Sequence, residues 1–392
     1  MTSTSTAIRP DAPPFPWIPV LAVALSTFSV VTAEMMPVGL LTPIAADLGV
    51  APGLAGTSLT ITGIVAAVLA PLTPTLIGRS DRRTVIAAFL GVLAVGNALS
   101  AVATGFALFA LGRVLIGVAM GVVWSLAAGI GPRLAPERHV GRAMTIVFSG
   151  VSIAMVAGVP LGTFAAGLLD WRAAFIGLAA LSAAAAVLVL TRLPRLPAAE
   201  RASLRGLFSP WRHRGVATGL LITALVVIGH FAGYTYVRPV LESGDMTPGF
   251  IVAALVAFGG AGVVGNFIIG AYAAREPRRA LLIAVGGIVI AAALLPFAVA
   301  DAITALITVA LWGLVYGSIT ASTGAWIRAA DPTHVEQSSA MWSGVFNASI
   351  ALGALVGGVV FEAASGPILL WTAAALVLAG WFTVLLGRAR ER

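Results

Sequence analysis

The chain of 392 residues is 59% hydrophobic and only 10% charged, with a net charge of +8 at neutral pH. A soluble domain carries about 25% charged residues, so this chain has too little charge to coat a water-facing surface, and most of its area must face lipid. It has no cysteine, which excludes disulfides, thiolate metal sites and cysteine nucleophiles. Four histidines without an acidic cluster beside them argue against a metal centre.

Residues 1–16 are rich in Ser, Thr and Pro and read as a disordered cytoplasmic tail. Pro13, Pro14, Pro16 and Pro19 crowd the region that would have to be a signal-peptide head. Apolar runs follow at 17–41, 53–77, 84–103, 106–131, 142–167, 173–191, 215–240, 249–273, 280–299, 302–328, 339–363 and 367–387. Each is close to the roughly 20 residues a membrane-spanning helix needs. The expected organisation is a six-helix bundle at 17–191, a cytoplasmic linker at 192–214, a second bundle at 215–387 and a tail at 388–392.

The basic residues are all arginines, and they sort by side. Arg79, Arg82, Arg83, Arg133, Arg138, Arg142, Arg275, Arg278, Arg279, Arg328, the linker and the tail share one face. The opposite loops carry Asp47, Asp170, Glu242, Asp245, Asp301 and Glu362, with Arg172 and Arg238 as exceptions. The positive-inside rule puts both termini in the cytoplasm. It also accounts for the basicity without nucleic acid.

The two halves match at one offset. Ser152-Ile153-Ala154-Met155 corresponds to Ser349-Ile350-Ala351-Leu352, and Ala143-Met144 to Ala340-Met341, each 197 residues apart. Parallel six-span repeats place a substrate site between the halves near the midplane, with alternating access by rocking.

Five segments carry a family likeness. Gly78-Arg79-Ser80-Asp81-Arg82-Arg83 lies between the second and third runs, and Arg113-Val114-Leu115-Ile116-Gly117 is in the fourth. Gly158-Val159-Pro160-Leu161-Gly162 is in the fifth, followed by Thr163 where the motif has Gly. The others are Thr32-Ala33-Glu34-Met35-Met36-Pro37-Val38-Gly39-Leu40-Leu41 and Gly229-His230-Phe231-Ala232-Gly233-Tyr234-Thr235-Tyr236-Val237-Arg238-Pro239. Over nearly its whole length the chain resembles the major facilitator superfamily, and within it the twelve-span drug/proton antiporters. The last two segments resemble bacterial sugar efflux transporters and purine ribonucleoside or base efflux pumps. The resemblance implies an all-α protein of twelve spans in the bacterial plasma membrane, a monomer working on a small-molecule substrate. It needs no cofactor beyond the proton gradient and is not an enzyme.

Glu34 is the first candidate for proton coupling. Taking Leu41 as the outer end of its span, it lies roughly 10 Å deep, where a carboxylate is costly and marks function by default. It either exchanges a proton between the two sides or sits in a fixed pair with an arginine. Arg113, at matching depth in the fourth span, is that partner, unless it only ties its span to backbone carbonyls.

His230 falls 196 residues from Glu34 and so stands across the cavity from it. It is read as a substrate or proton contact, against the commoner neutral hydrogen-bonding histidine. Tyr234, one turn on, shares that face. Asn347 in the eleventh span is either helix glue or a ligand contact. Trp124 and Trp342 either stack on a ring-shaped substrate or simply pack.

Gly158, Pro160 and Gly162 read as a mechanical element, since small residues let helices approach and proline bends them. Asp81 with Gly78, Arg82 and Arg83 reads as a cytoplasmic gate latch or a plain charge anchor. The expected activity is proton-coupled efflux of a sugar, a purine nucleoside or base, or an amphipathic drug. A proton symporter, a membrane enzyme acting on lipid and a non-transporting sensor are the rivals. The enzyme would need an interfacial Asp, His or Lys cluster, which the sequence lacks.

Overall fold

The computed structural model describes residues 15–136, 139–197 and 213–387. Among them, twelve helices are long and apolar enough to cross a membrane. The first six are span 1 (Trp17–Asp47), span 2 (Pro52–Ile77), span 3 (Arg82–Ala101), span 4 (Phe106–Leu134), span 5 (Arg142–Leu168) and span 6 (Trp171–Arg192). The second six are span 7 (Arg214–Tyr234), span 8 (Pro248–Ala273), span 9 (Pro277–Ala298), span 10 (Ala302–Ala330), span 11 (Val335–Ala363) and span 12 (Gly366–Leu386). The even count brings both ends of the described chain to the arginine-rich face. The other will be called the acidic face. The expected tails and most of the expected linker fall at 1–14, 198–212 and 388–392, outside the described residues.

Short polar caps start the helices. The side chains of Asp81, Asp170 and Asp301 accept from the backbone N–H groups of Arg83, Arg172 and Thr304 at 2.9–3.2 Å, satisfying donors that a helix start leaves free. Gly78 ends span 2 at φ +50° with open space where a side chain would stand. Its backbone conformation is what requires glycine there.

Four spans are less regular than their unbroken apolar runs suggest. Span 5 contains a π-helical turn at Ala154–Gly158 and span 8 another at Asn266–Gly270. Span 10 breaks between Tyr316 and Ile319, and span 7 stops at Tyr234 before a short helix at Val237–Glu242. Window-averaged hydropathy is blind to such breaks, because the average stays high while the hydrogen-bond register shifts.

Two apolar cores fill the halves. One is built from spans 1 to 6, around Leu90, Phe109, Ile116 and Phe175. The other is built from spans 7 to 12, around Phe258, Ile288, Trp312 and Val377. The second reaches across to Val31, Met35 and Val38 of span 1, Leu59 of span 2 and Ala154 and Val159 of span 5. That seam between the halves carries the candidate site.

Candidate functional site

Span 1 runs through two prolines, Pro37 and Pro43. A proline lacks the N–H that would bond the carbonyl four residues back, so Ala33 and Gly39 lose their helical donors. In hydrocarbon an unpaired carbonyl costs several kcal/mol, and arginines fill both places. Arg113 Nη1 donates to Ala33 O at 2.7 Å, Nη2 to Glu34 O at 2.8 Å and Nε to Ser58 O of span 2 at 3.2 Å. Arg238 of the second half donates to Gly39 O.

Span 1 therefore does not end at Leu41 but continues to Asp47. Glu34 lies thirteen residues from that end, about 20 Å along the axis, and is twice as deep as the sequence suggests. The expected match in depth with Arg113 is seen, but the guanidinium meets the backbone of Glu34 and is not bonded to its carboxylate. Glu34 is 3% exposed, and its Oε1 has no hydrogen-bond partner among the described residues.

Span 7 carries His230 at the same height. It lies sixteen residues from Arg214, as Glu34 lies seventeen from Trp17. Trp312 of span 10 donates from Nε1 to His230 Nδ1 at 3.0 Å, while His230 Nε2 is buried and unpartnered. The halves thus repeat one design, in which a donor on span 4 or 10 fastens span 1 or 7 beside the buried titratable group.

Aromatic rings enclose His230. Tyr316 stacks on it with centroids 3.4 Å apart and planes 7° from parallel. Tyr234 stacks at 5.1 Å and in turn on Phe258 at 4.4 Å. Tyr316 belongs to the same apolar core as Val31, Met35 and Val38 of span 1, which joins the two halves of the site. Tyr316 and Phe258 were not singled out from sequence. The signal was there, since the chain holds four tyrosines and three of them are buried at this seam.

Small residues bring span 5 against span 1 at the level of Glu34. A side chain at Gly158 would meet Thr32, one at Gly162 would meet Met36, and one at Gly39 would meet Thr163. Pro160 follows the π-helical turn directly. Thr32 and Met36 are one helical turn apart on span 1, on the face turned away from the Glu34 carboxyl group.

Of the remaining candidates, Trp124 packs against the edge of the seam core. Trp124 stands eleven residues beyond Arg113 in span 4, about 16 Å nearer the arginine-rich face, edge-on to Phe148. Trp342 donates to Thr323 Oγ1 at 3.2 Å and packs on Phe346. Asn347 Nδ2 donates to Ser343 O at 2.8 Å within its own helix. Asp81 accepts from Leu196 N–H at 2.8 Å and lies 3.7 Å from Arg83 Nε, while Arg82 N–H donates to Leu196 O. In this state the loop is fastened within its own half, and no recorded contact carries Asp81 across to the other.

Polar contacts between the halves gather on the acidic side. Thr42 donates to Glu242, Tyr236 Oη to Gly53 O at 3.3 Å and Leu54 N–H to Glu362 Oε1 at 3.1 Å. Deeper in, Thr60 donates to Ala351 O at 3.0 Å. Arg238 Nε holds Glu242 Oε1 at 2.8 Å. At the arginine-rich face the polar contacts among the described residues stay within one half, as in Arg133 to Pro197 O and Arg278 to Val384 O. The molecule is closed toward the acidic face by a latch that sequence reading missed.

Near the arginine-rich face His213, Asp331 and His334 bring ligand atoms within 4.8 Å of one another. Asp331 is already engaged there by Thr333, by the His334 N–H and by Ser338. It organises the turn into span 11.

Comparison with known proteins places this geometry. Residues 23–335 match the family model described as Major Facilitator Superfamily. The chain is 32% identical over 388 residues to the transcription regulatory protein OpdE of Pseudomonas aeruginosa, covering 95% of this chain and 94% of that protein. It is 31% identical over 347 residues to the purine ribonucleoside efflux pump NepI of Salmonella enteritidis, covering 87% and 86%. In structure it resembles the nucleoside transporter NupG with a TM-score of 0.77 at 16% identity, over 94% of this chain and 99% of that one. The chain belongs to the major facilitator superfamily and is a multi-pass membrane transporter, not an enzyme.

Proposed function

We propose that the protein exports a small, uncharged organic molecule across the bacterial plasma membrane in exchange for protons, with purine nucleosides or bases as the leading cargo. The carrying observation is Glu34, a carboxyl group buried at the seam with one oxygen unbonded and no salt bridge among the described residues. A carboxylate in hydrocarbon is expensive unless paired or protonated. A carboxyl group with no bonded partner can exchange a proton when the halves part. The apolar contacts of Met35 and Val38 with the second half lie between Glu34 and the acidic face. Rocking the halves apart there would admit a proton from outside, and rocking them back would deliver it inside.

Cargo class rests on the chemistry of the seam, which is aromatic around His230, with few charged groups among the described residues. The NepI relatives, named as purine ribonucleoside efflux pumps, support the same class. The arginine-rich face is taken as cytoplasmic by the positive-inside rule.

Inverted membrane vesicles test the direction. With an acidic lumen, export in the cell reads as accumulation of radiolabelled inosine inside the vesicles, abolished by a protonophore. Accumulation driven only by the opposite gradient would make the protein an importer. The name of the OpdE relative, a transcription regulatory protein, favours one second reading, a membrane sensor. That reading predicts saturable binding with no flux in either direction.

A further inference from the structure

The Trp312–His230 bond decides what His230 can do at this site. An indole N–H only donates, so the nitrogen that receives it, His230 Nδ1, must keep its lone pair. A neutral imidazole carries one hydrogen, which must then be on Nε2. Taking up a second proton at Nδ1 would expel Trp312 from its 3.0 Å bond. No other polar group of the described residues bonds to Nε2.

The ring faces are also spoken for. Tyr316 lies parallel at 3.4 Å and Tyr234 at 5.1 Å, with Phe231 edge-on at 4.9 Å. A flat cargo cannot stack on the imidazole without displacing these rings. What His230 offers is its edge, a single N–H that is fully buried and unpaired. Trp312 is held just as firmly, being itself 0% exposed.

We infer that Trp312 fixes His230 as the neutral Nε2–H tautomer, making it a donor subsite for an acceptor atom on the edge of a planar cargo, such as a ring nitrogen or carbonyl oxygen. His230 is therefore not a second proton carrier. Among the described residues of the seam, Glu34 alone is left to exchange a proton. The inference deepens the export reading and rests on the same seam being the cargo site. Trp312 acts through His230 and is a positioning residue.

Two measurements test it separately. The first needs no cargo: full-length protein labelled with nitrogen-15 histidine is compared with His230→Gln and Trp312→Phe by NMR at neutral pH. The signals assigned to His230 are expected to show the Nε2–H tautomer alone, with a mixture of tautomers in Trp312→Phe. A hydrogen on Nδ1, or a charged ring, in the unaltered protein overturns the inference. The second uses inosine binding. His230→Leu is expected to weaken it at least tenfold and His230→Gln, which keeps an N–H near the Nε2 position, to restore most of that loss. Equal binding by His230→Leu overturns the subsite. If the unaltered protein binds no inosine, the cargo class fails, and the tautomer result still judges the histidine.

Discussion

Arg113 holds the backbone carbonyl of Glu34 at 2.8 Å and leaves its carboxyl group free. The arrangement follows from Pro37, which strips Ala33 O of its helical donor and so creates the demand that Arg113 meets. One buried cation is thereby spent on geometry, placing span 1 while leaving Glu34 unpaired. Arg113→Ala should unfold in detergent at a markedly lower temperature. Hydrogen bonds to charged groups contribute about 1.5–3 kcal/mol each, and three are lost. Arg113→Lys cannot reach three carbonyls from one ammonium and should recover only part. In a Pro37→Ala background, where a backbone N–H again serves Ala33 O, the penalty of Arg113→Ala should shrink by about 1 kcal/mol. Additive effects in that cycle would mean the proline does not set the need.

The latch on the acidic face should open and close during transport. The chain has no native cysteine, so a Leu54→Cys, Glu362→Cys pair gives no background. Joining the two with a short thiol-reactive linker should stop flux, and cleaving the linker should restore it. Arg238→Ala removes the donor to Gly39 O and the Glu242 partner together. It should raise labelling of seam positions by membrane-impermeant reagents from the acidic face severalfold.

Crowding at the motif glycines predicts a mechanical phenotype. In Gly158→Val the new side chain meets Thr32, and in Gly162→Leu it meets Met36. Each should push span 5 from span 1 and cost about 1–3 kcal/mol of stability, as overpacking does, with flux reduced at least tenfold. Gly167→Ala in the same span meets open space and should leave both unchanged.

Asp331 supplies a pH test outside the spans. Burial alone would raise its pKa, but hydrogen bonds from Thr333, the His334 backbone, Ser338 and the His334 ring outweigh this and hold it below the ordinary carboxylate range. A lowered folded-state pKa adds stability that is complete above the unfolded value, near 3.9, and fades only as pH falls through the folded one. Asp331 stays ionised in the folded and the unfolded chain above about pH 5, so its own titration should contribute no slope from there to about pH 8 to the stability difference between the unaltered protein and Asp331→Asn. It should narrow only in stronger acid. A slope across neutral pH would assign the titration to another group.

The sequence showed the spans, the paired halves and Glu34 plainly, because hydrocarbon thickness and the cost of buried charge act on single residues. What it hid depends on partners far along the chain. That Pro43 would not end span 1 follows only once Arg238, almost 200 residues away, is seen to serve Gly39 O. The break at Gly317, next to Tyr316, lies in a run whose mean hydropathy stays high enough to read as one span. Asp81 read as a latch because its loop resembles a family motif. In this state its bonds are spent capping span 3 and holding Leu196.

The central claim is that the Glu34 carboxyl group carries the proton. Its most direct test is Glu34→Gln, which keeps shape and hydrogen-bonding capacity but cannot ionise, reconstituted in proteoliposomes beside the unaltered protein. Inosine uptake driven by an imposed pH gradient should fall at least tenfold in Glu34→Gln, with inosine binding retained. Gradient-driven uptake at the unaltered rate in Glu34→Gln would contradict the account.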